Sequence, residues 1–274
     1  MPTLNAGPAT ARIDRSRGGR LSSLVVHGHE LLVQPEPGSR GAPSDPLLSG
    51  CYPMAPWAGR TRGGRFAWNG RLHELATNHA GHAMHGTVFD RRWAVELADV
   101  GYVRLRADLQ PGWPFAGWAI HEVALTPARL ELRLEVHSAE STFPATVGWH
   151  PWFRRQVEVG AELEVHLDAA RWYPRGVDGL PIGTIEEPPA HGPWDDCFTA
   201  VAWPVRLAWP GALLVTMAST CDHVVLYDQP RHAICLEPQT GPPDALNHLE
   251  RATLVRPRHP LVAEMSLTWL APLP

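Results

Sequence analysis

The 274-residue sequence contains no lysine: all 24 of its Lys+Arg residues are arginine. That excludes Schiff-base chemistry through a lysine amine, and with it one route to sugar isomerisation. It also suggests the coding bias of a GC-rich genome. Cysteine is scarce. The four residues, Cys51, Cys197, Cys221 and Cys235, are far apart and form no CxxC pair, so a zinc ribbon or dithiol redox motif is unsupported. Cys235 sits in an apolar run and reads as a small buried hydrophobe. No stretch approaches the roughly 18 apolar residues of a membrane-spanning helix. The N-terminus has no basic segment followed by an apolar one, so no signal peptide is read. A cytoplasmic protein with reduced thiols is the expectation. The formal net charge of -4 gives no drive toward nucleic acid or an anionic membrane.

What is present points to β-structure. The 28 prolines are scattered through the chain and limit helix length. Alternation is clearest at residues 130–136, where Leu130, Leu132, Leu134 and Val136 share one face and Glu131, Arg133 and Glu135 the other. The same period appears at residues 263–269 and 93–97. Residues 66–72 carry Asn69-Gly70, the favoured pair for a tight hairpin turn. Further strands are expected at 21–26, 117–125, 162–167, 213–219 and 224–227. Residues 34–48 and 174–193 read as long loops, the second placed to cover a site. Strand patterns continue on both sides of each loop, so a single domain over residues 1–274 is expected. Twelve tryptophans serve mostly as core anchors on this reading, with a sugar platform as the other use.

Three polar groups stand out against this background. Glu237 follows the apolar run 233–236, a buried strand by pattern, and precedes Pro238, which is expected to end a central strand. Carboxylates are rarely buried without a partner, and functional groups concentrate where loops leave a rigid scaffold. His85 directly precedes a glycine in GHAMHG (81–86). His150 lies between Trp149 and Pro151 in TVGWHPWF (146–153). A histidine titrates close to neutrality and can give or take a proton there. The competing reading of each histidine is a structural residue with one hydrogen bond, and of Glu237 a side chain turned outward.

Taken together, these segments resemble the aldose 1-epimerase (mutarotase) family. The resemblance is carried, in order, by residues 52–66 (YPMAPWAGRTRGGRF), 84–86 (MHG), 148–153 (GWHPWF), 194–198 (WDDCF) and 235–239 (CLEPQ). It implies a large antiparallel β-sandwich with few or no long helices. It also implies interconversion of the α and β anomers of a hexose by ring opening and reclosure, with no cofactor and no metal. By resemblance Glu237 is the general base and His150 the general acid. His85 binds near the ring oxygen, Arg60 donates to substrate oxygens, and Asp195 accepts from sugar hydroxyls, with the adjacent Asp196 as the alternative. The partner is a small-molecule sugar, and the chain is expected as a monomer or homodimer.

Two departures bear on the substrate. The family commonly has Asn-Arg where this chain has Gly59-Arg60, and often Tyr-Phe where it has Trp152-Phe153. The four arginines Arg60, Arg62, Arg65 and Arg71 keep a phosphorylated or sulfonated hexose open, because guanidinium forks suit such anions. Two rivals come from other classes. One is a metal-dependent isomerase using His79, His82 and His85, or His27, His29 and Glu30. The other is a sugar-binding or regulatory module that has lost catalysis.

Overall fold

Alternation along the chain is converted directly into faces. In the strand Arg129–Ser138 Leu130, Leu132, Leu134 and Val136 are all buried. Arg133, on the opposite face, pairs with Glu135 and Glu264. That strand lies between Gly117–Thr126 and Leu261–Trp269 in antiparallel register. Together they form the centre of an eight-stranded sheet. A ten-stranded sheet forms the other half, and one apolar cluster draws buried residues from both, among them Leu132 and Leu134 from the first and Ile13, Trp149 and Leu236 from the second. The result is a large antiparallel β-sandwich. This is a computed structural model of the chain, describing residues 1–34 and 45–270. Most of the expected 34–48 loop therefore lies outside the described residues.

Within that range the only helices are three-residue 3-10 turns. No helix is long and apolar enough to cross a membrane. The Asn69-Gly70 pair joins the hairpin strands Arg65–Trp68 and Arg71–Glu74, with both turn residues at positive φ. Two expectations need correction. The 93–97 alternation does not make a half-buried strand. The strand is Ala94–Asp99, exposed throughout, because it is the outermost strand of its sheet and, among the described residues, has no outer strand partner; Trp93 is buried just before it. Pro238 does not end its strand either, which runs Ala233–Gln239 and is buried along its length.

The reason lies in the neighbouring strand, Gly148–Arg154. Their ladder is made at Gly148–Gln239 and again from Trp152–Cys235 onward. Counting inward from those ends sets His150 opposite Glu237, Pro151 opposite Leu236 and Pro238 opposite Trp149. Prolines donate no N–H, so two of them flank the His150–Glu237 position and the ladder is interrupted between them. Gly148 lets the strands approach at one end of the gap: a Cβ there would lie 2.4 Å from the Pro238 carbonyl oxygen.

Candidate active site

Five adjacent strands of the ten-stranded sheet build the site: Cys51–Met54, Gly148–Arg154, Ala233–Gln239, His223–Tyr227 and Asp195–Val201. Their period of two sorts the residues. Trp149, Phe153, Ile234, Leu236 and Val224 enter the main core. Tyr52, His150, Trp152, Glu237, Val225, Tyr227 and Asp195 line a cavity of about 280 Å³ on the other face. Residues from outside these strands complete it. Arg60 belongs to the short strand Arg60–Thr61, paired with Ala83–Met84, and His85 follows at once, its N–H donating to Gly59 O at 2.9 Å. His85 holds φ 63, a left-handed conformation that a non-glycine residue adopts at a cost. Gly86 comes next at φ +83, where a Cβ would sit 1.9 Å from Ala55 O; no other residue fits there.

All five residues singled out from the sequence line this one cavity: Arg60, His85, His150, Asp195 and Glu237. Asp196 lines it too. His150 Nε2 is 3.1 Å from Glu237 Oε1, and both side chains are almost fully buried, at 7% and 5% exposed. His150 is clamped between two rings, Tyr52 at 4.8 Å and Trp152 at 5.3 Å, each nearly parallel to it. The His85 ring stands edge-on to it at 5.1 Å. Behind Tyr52, the buried Arg20 guanidinium lies 5.1 Å from the phenol ring and donates to the carbonyls of Arg17, Ser49 and Phe89.

Burial governs the protonation of the pair. It raises the Glu237 carboxyl well above the usual carboxylate range; Asp195 adds to that effect and Arg60 opposes it. It lowers the His150 imidazole to about 3. Both shifts disfavour a charged Glu237 beside a charged His150 and favour an uncharged pair across the 3.1 Å contact. His85 is also held neutral, its basicity lowered well below normal by burial and then by His150 and Arg60.

The cations at the rim are matched by anions. Arg175 bonds Asp195 and lies 3.8 Å from Asp196, and Arg60 Nη2 is 3.7 Å from Asp195. Arg60 Nη1 also donates to Gly179 O at 3.1 Å, so the 174–193 loop does reach the cavity. Arg62 pairs with Asp178 and Asp244, and Arg65 with Glu74. Arg175 and Tyr227 were not identified from sequence. Arg175 lies in an irregular loop and carries no pattern; Tyr227 had only its strand.

The metal sets considered from sequence do not assemble. His82 is engaged by the Gly63 N–H and by Asp178 O. Glu30 accepts from Ser23 and from the N–H groups of Leu24 and Leu32, and His29 faces Glu158. Among the described residues, the set that could hold an ion is instead His85, His150 and Glu237, with donor atoms within 4.8 Å of one another.

Residues 9–196 match the family described as aldose 1-epimerase. The Escherichia coli K12 protein YphB, itself described as uncharacterised, is 31% identical over 108 residues, which are 38% of this chain and 36% of YphB. The match thus spans little more than a third of that relative's length. A solved galactose mutarotase-like protein from Clostridium acetobutylicum has a TM-score of 0.88 at 16% identity, over 98% of this chain and 94% of that one. The GalM/aldose epimerase homologue from C. elegans gives 0.83 at 14% identity, over 98% of both chains. Galactose 1-epimerase from Lactobacillus acidophilus NCFM gives 0.80 at 16% identity, over 98% and 93%. At these identities the likeness is one of fold.

Proposed function

Because the chain belongs to the aldose 1-epimerase family, we propose that it interconverts the α and β anomers of a neutral hexose, with Glu237 as base and His150 as acid. The observation that carries this reading is the 3.1 Å contact between His150 Nε2 and Glu237 Oε1 at the floor of a cavity. Anomer exchange needs one group to take the proton from the C1 hydroxyl and another to give a proton to the ring oxygen. The pair holds one proton, and its transfer from Glu237 to His150 yields carboxylate and imidazolium without changing the net charge. The entering sugar takes over the hydrogen bond between them. Glu237 removes the C1 hydroxyl proton, the bond between C1 and the ring oxygen breaks, and His150 protonates that oxygen. The open aldehyde turns about C1–C2, and the reverse transfers close the ring on its other face. Each proton transfer of this kind contributes about 10²–10⁴-fold.

His85, neutral and edge-on to His150, supplies a hydrogen bond near the ring oxygen. Arg60 donates to the hydroxyls and Asp195 accepts from them. A neutral rather than an anionic sugar is favoured because, among the described residues, the arginines lining the cavity are Arg60 and Arg175, and both face Asp195. A phosphate or sulfonate would have to displace that carboxylate. The test is polarimetry of freshly dissolved α-D-glucose and α-D-galactose, with EDTA present and a no-enzyme blank. Acceleration that disappears in Glu237→Gln supports the reading. Acceleration only with a hexose 6-phosphate would overturn the neutral-sugar assignment, and sugar binding without turnover would leave a binding module.

A further inference from the structure

We infer that His85, His150 and Glu237 also form a site for a borderline divalent cation such as Zn²⁺, which occupies the cavity floor in competition with the sugar. Two imidazoles and one carboxylate are the donor set of zinc sites that keep a coordination position open. One donor atom from each residue lies within 4.8 Å of the other two, and His150 Nε2 is 3.1 Å from Glu237 Oε1. Tetrahedral zinc, with bonds of about 2.0–2.2 Å, holds its donors roughly 3.4 Å apart. Side-chain shifts on the order of 1 Å therefore complete the coordination. The cation takes a lone pair from His150 and from Glu237 in place of the hydrogen bond between them, and the proton they shared leaves to solvent. The cavity gives it a path in, since all three residues line it.

The surroundings set the strength of this site. Histidines that ligate metal normally donate their other ring N–H to an acceptor, which orients the ring and raises its basicity. Here the Nδ1 atoms of both His85 and His150 are buried without a partner. The site is accordingly weaker than a structural zinc centre, and the cation is a reversible inhibitor rather than a resident. The competition with sugar rests on the epimerase reading; the metal site itself does not.

The test is a Co²⁺ titration of the EDTA-stripped full chain, read by visible d–d absorption, with Zn²⁺ displacing the signal. One equivalent of Co²⁺ is expected to bind. His85→Gln and Glu237→Gln are each expected to weaken it by at least about tenfold, with unchanged far-UV circular dichroism. His29→Gln, on the surface beside Glu158, should leave it unaltered. Glu237→Gln is nearly isosteric, so it keeps the test open if the His85 variant fails to fold. Absence of the band, or equal affinity in the Glu237 variant, overturns the proposal. So does anomer exchange that excess Zn²⁺ fails to slow. A band in a protein that exchanges no anomers with EDTA present would sink the epimerase reading and leave the metal site standing.

Discussion

At the scale of single residues, the proposed chemistry makes Glu237 the position least tolerant of change. Glu237→Gln keeps the volume and a hydrogen bond toward His150 while removing the base. A loss of about 10²–10⁴-fold in kcat is expected with no fall in melting temperature, and near-normal turnover would refute the assignment. The pH profile should follow from the shifts. A second proton enters the pair only well below the ordinary imidazole range, because burial lowers His150 to about 3. The last proton leaves only above the carboxylate range, because burial raises Glu237. The kcat/KM curve, corrected for the spontaneous reaction, should stay flat between those limits; an acid limb centred near pH 6.5 would contradict it. These limits belong to the pair and not to either residue. His150 and Glu237 were legible from residue type and from neighbours such as Trp149 and Pro238. Their contact was not, because it depends on the register between strands far apart in sequence. Arg175 was illegible for a different reason: a loop residue has no period, and only the fold brings it to Asp195.

At the scale of elements, the short segment from Ala83 to Gly86 is the most demanding. Gly86→Ala would push a Cβ against a backbone carbonyl at 1.9 Å and shift His85, which immediately precedes it. Gly81, at φ +79 with nothing within 4 Å, is the control. Gly81→Ala meets only the left-handed backbone term of about 1–2 kcal/mol, whereas Gly86→Ala should cost clearly more and lower turnover as well. Thermal melts and polarimetry on the two variants check this, and equal melting temperatures would show that the Ala55 carbonyl yields freely. Strands with a buried face were readable from alternation, as at residues 130–136. The edge strand Ala94–Asp99 was misread because burial depends on what lies beside a strand, which its own residues do not record. Pro238 was misread for a related reason: a central strand excludes proline only where its neighbour needs the N–H, and here Pro151 leaves the facing strand equally without a donor.

At the scale of the molecule, four buried or mostly buried histidines set the response to acid. Burial lowers His121 and His223 to about 4, His150 to about 3, and His85 well below its usual value. A group whose folded-state pKa is depressed contributes stability that is complete above the unfolded value, near 6.5, and lost as pH falls toward the folded one. Glu237, shifted upward, works in the opposite sense from about pH 4.5 upward. These four, with His79 lowered in the same sense by burial, outnumber Glu237 and the likewise raised Asp196, and the melting temperature is predicted to fall between pH 7 and pH 5. His121 is fixed as the neutral tautomer, with Nδ1 donating to Gly19 O at 3.1 Å and Nε2 accepting from Trp149 Nε1 at 3.1 Å. Protonation would break the bond to Trp149, the residue next to His150. His121→Gln should therefore flatten the acid slope, and an unchanged slope would mean that His121 takes its proton without penalty. The interrupted ladder at His150 and Glu237 has a further consequence. Replacing Pro151 or Pro238 with alanine restores an amide donor to a strand pair already bonded at both ends, and the gap tends to close. A variant more resistant to heat yet slower on sugar is the expected result, which would make the two prolines spacers that trade stability for rate.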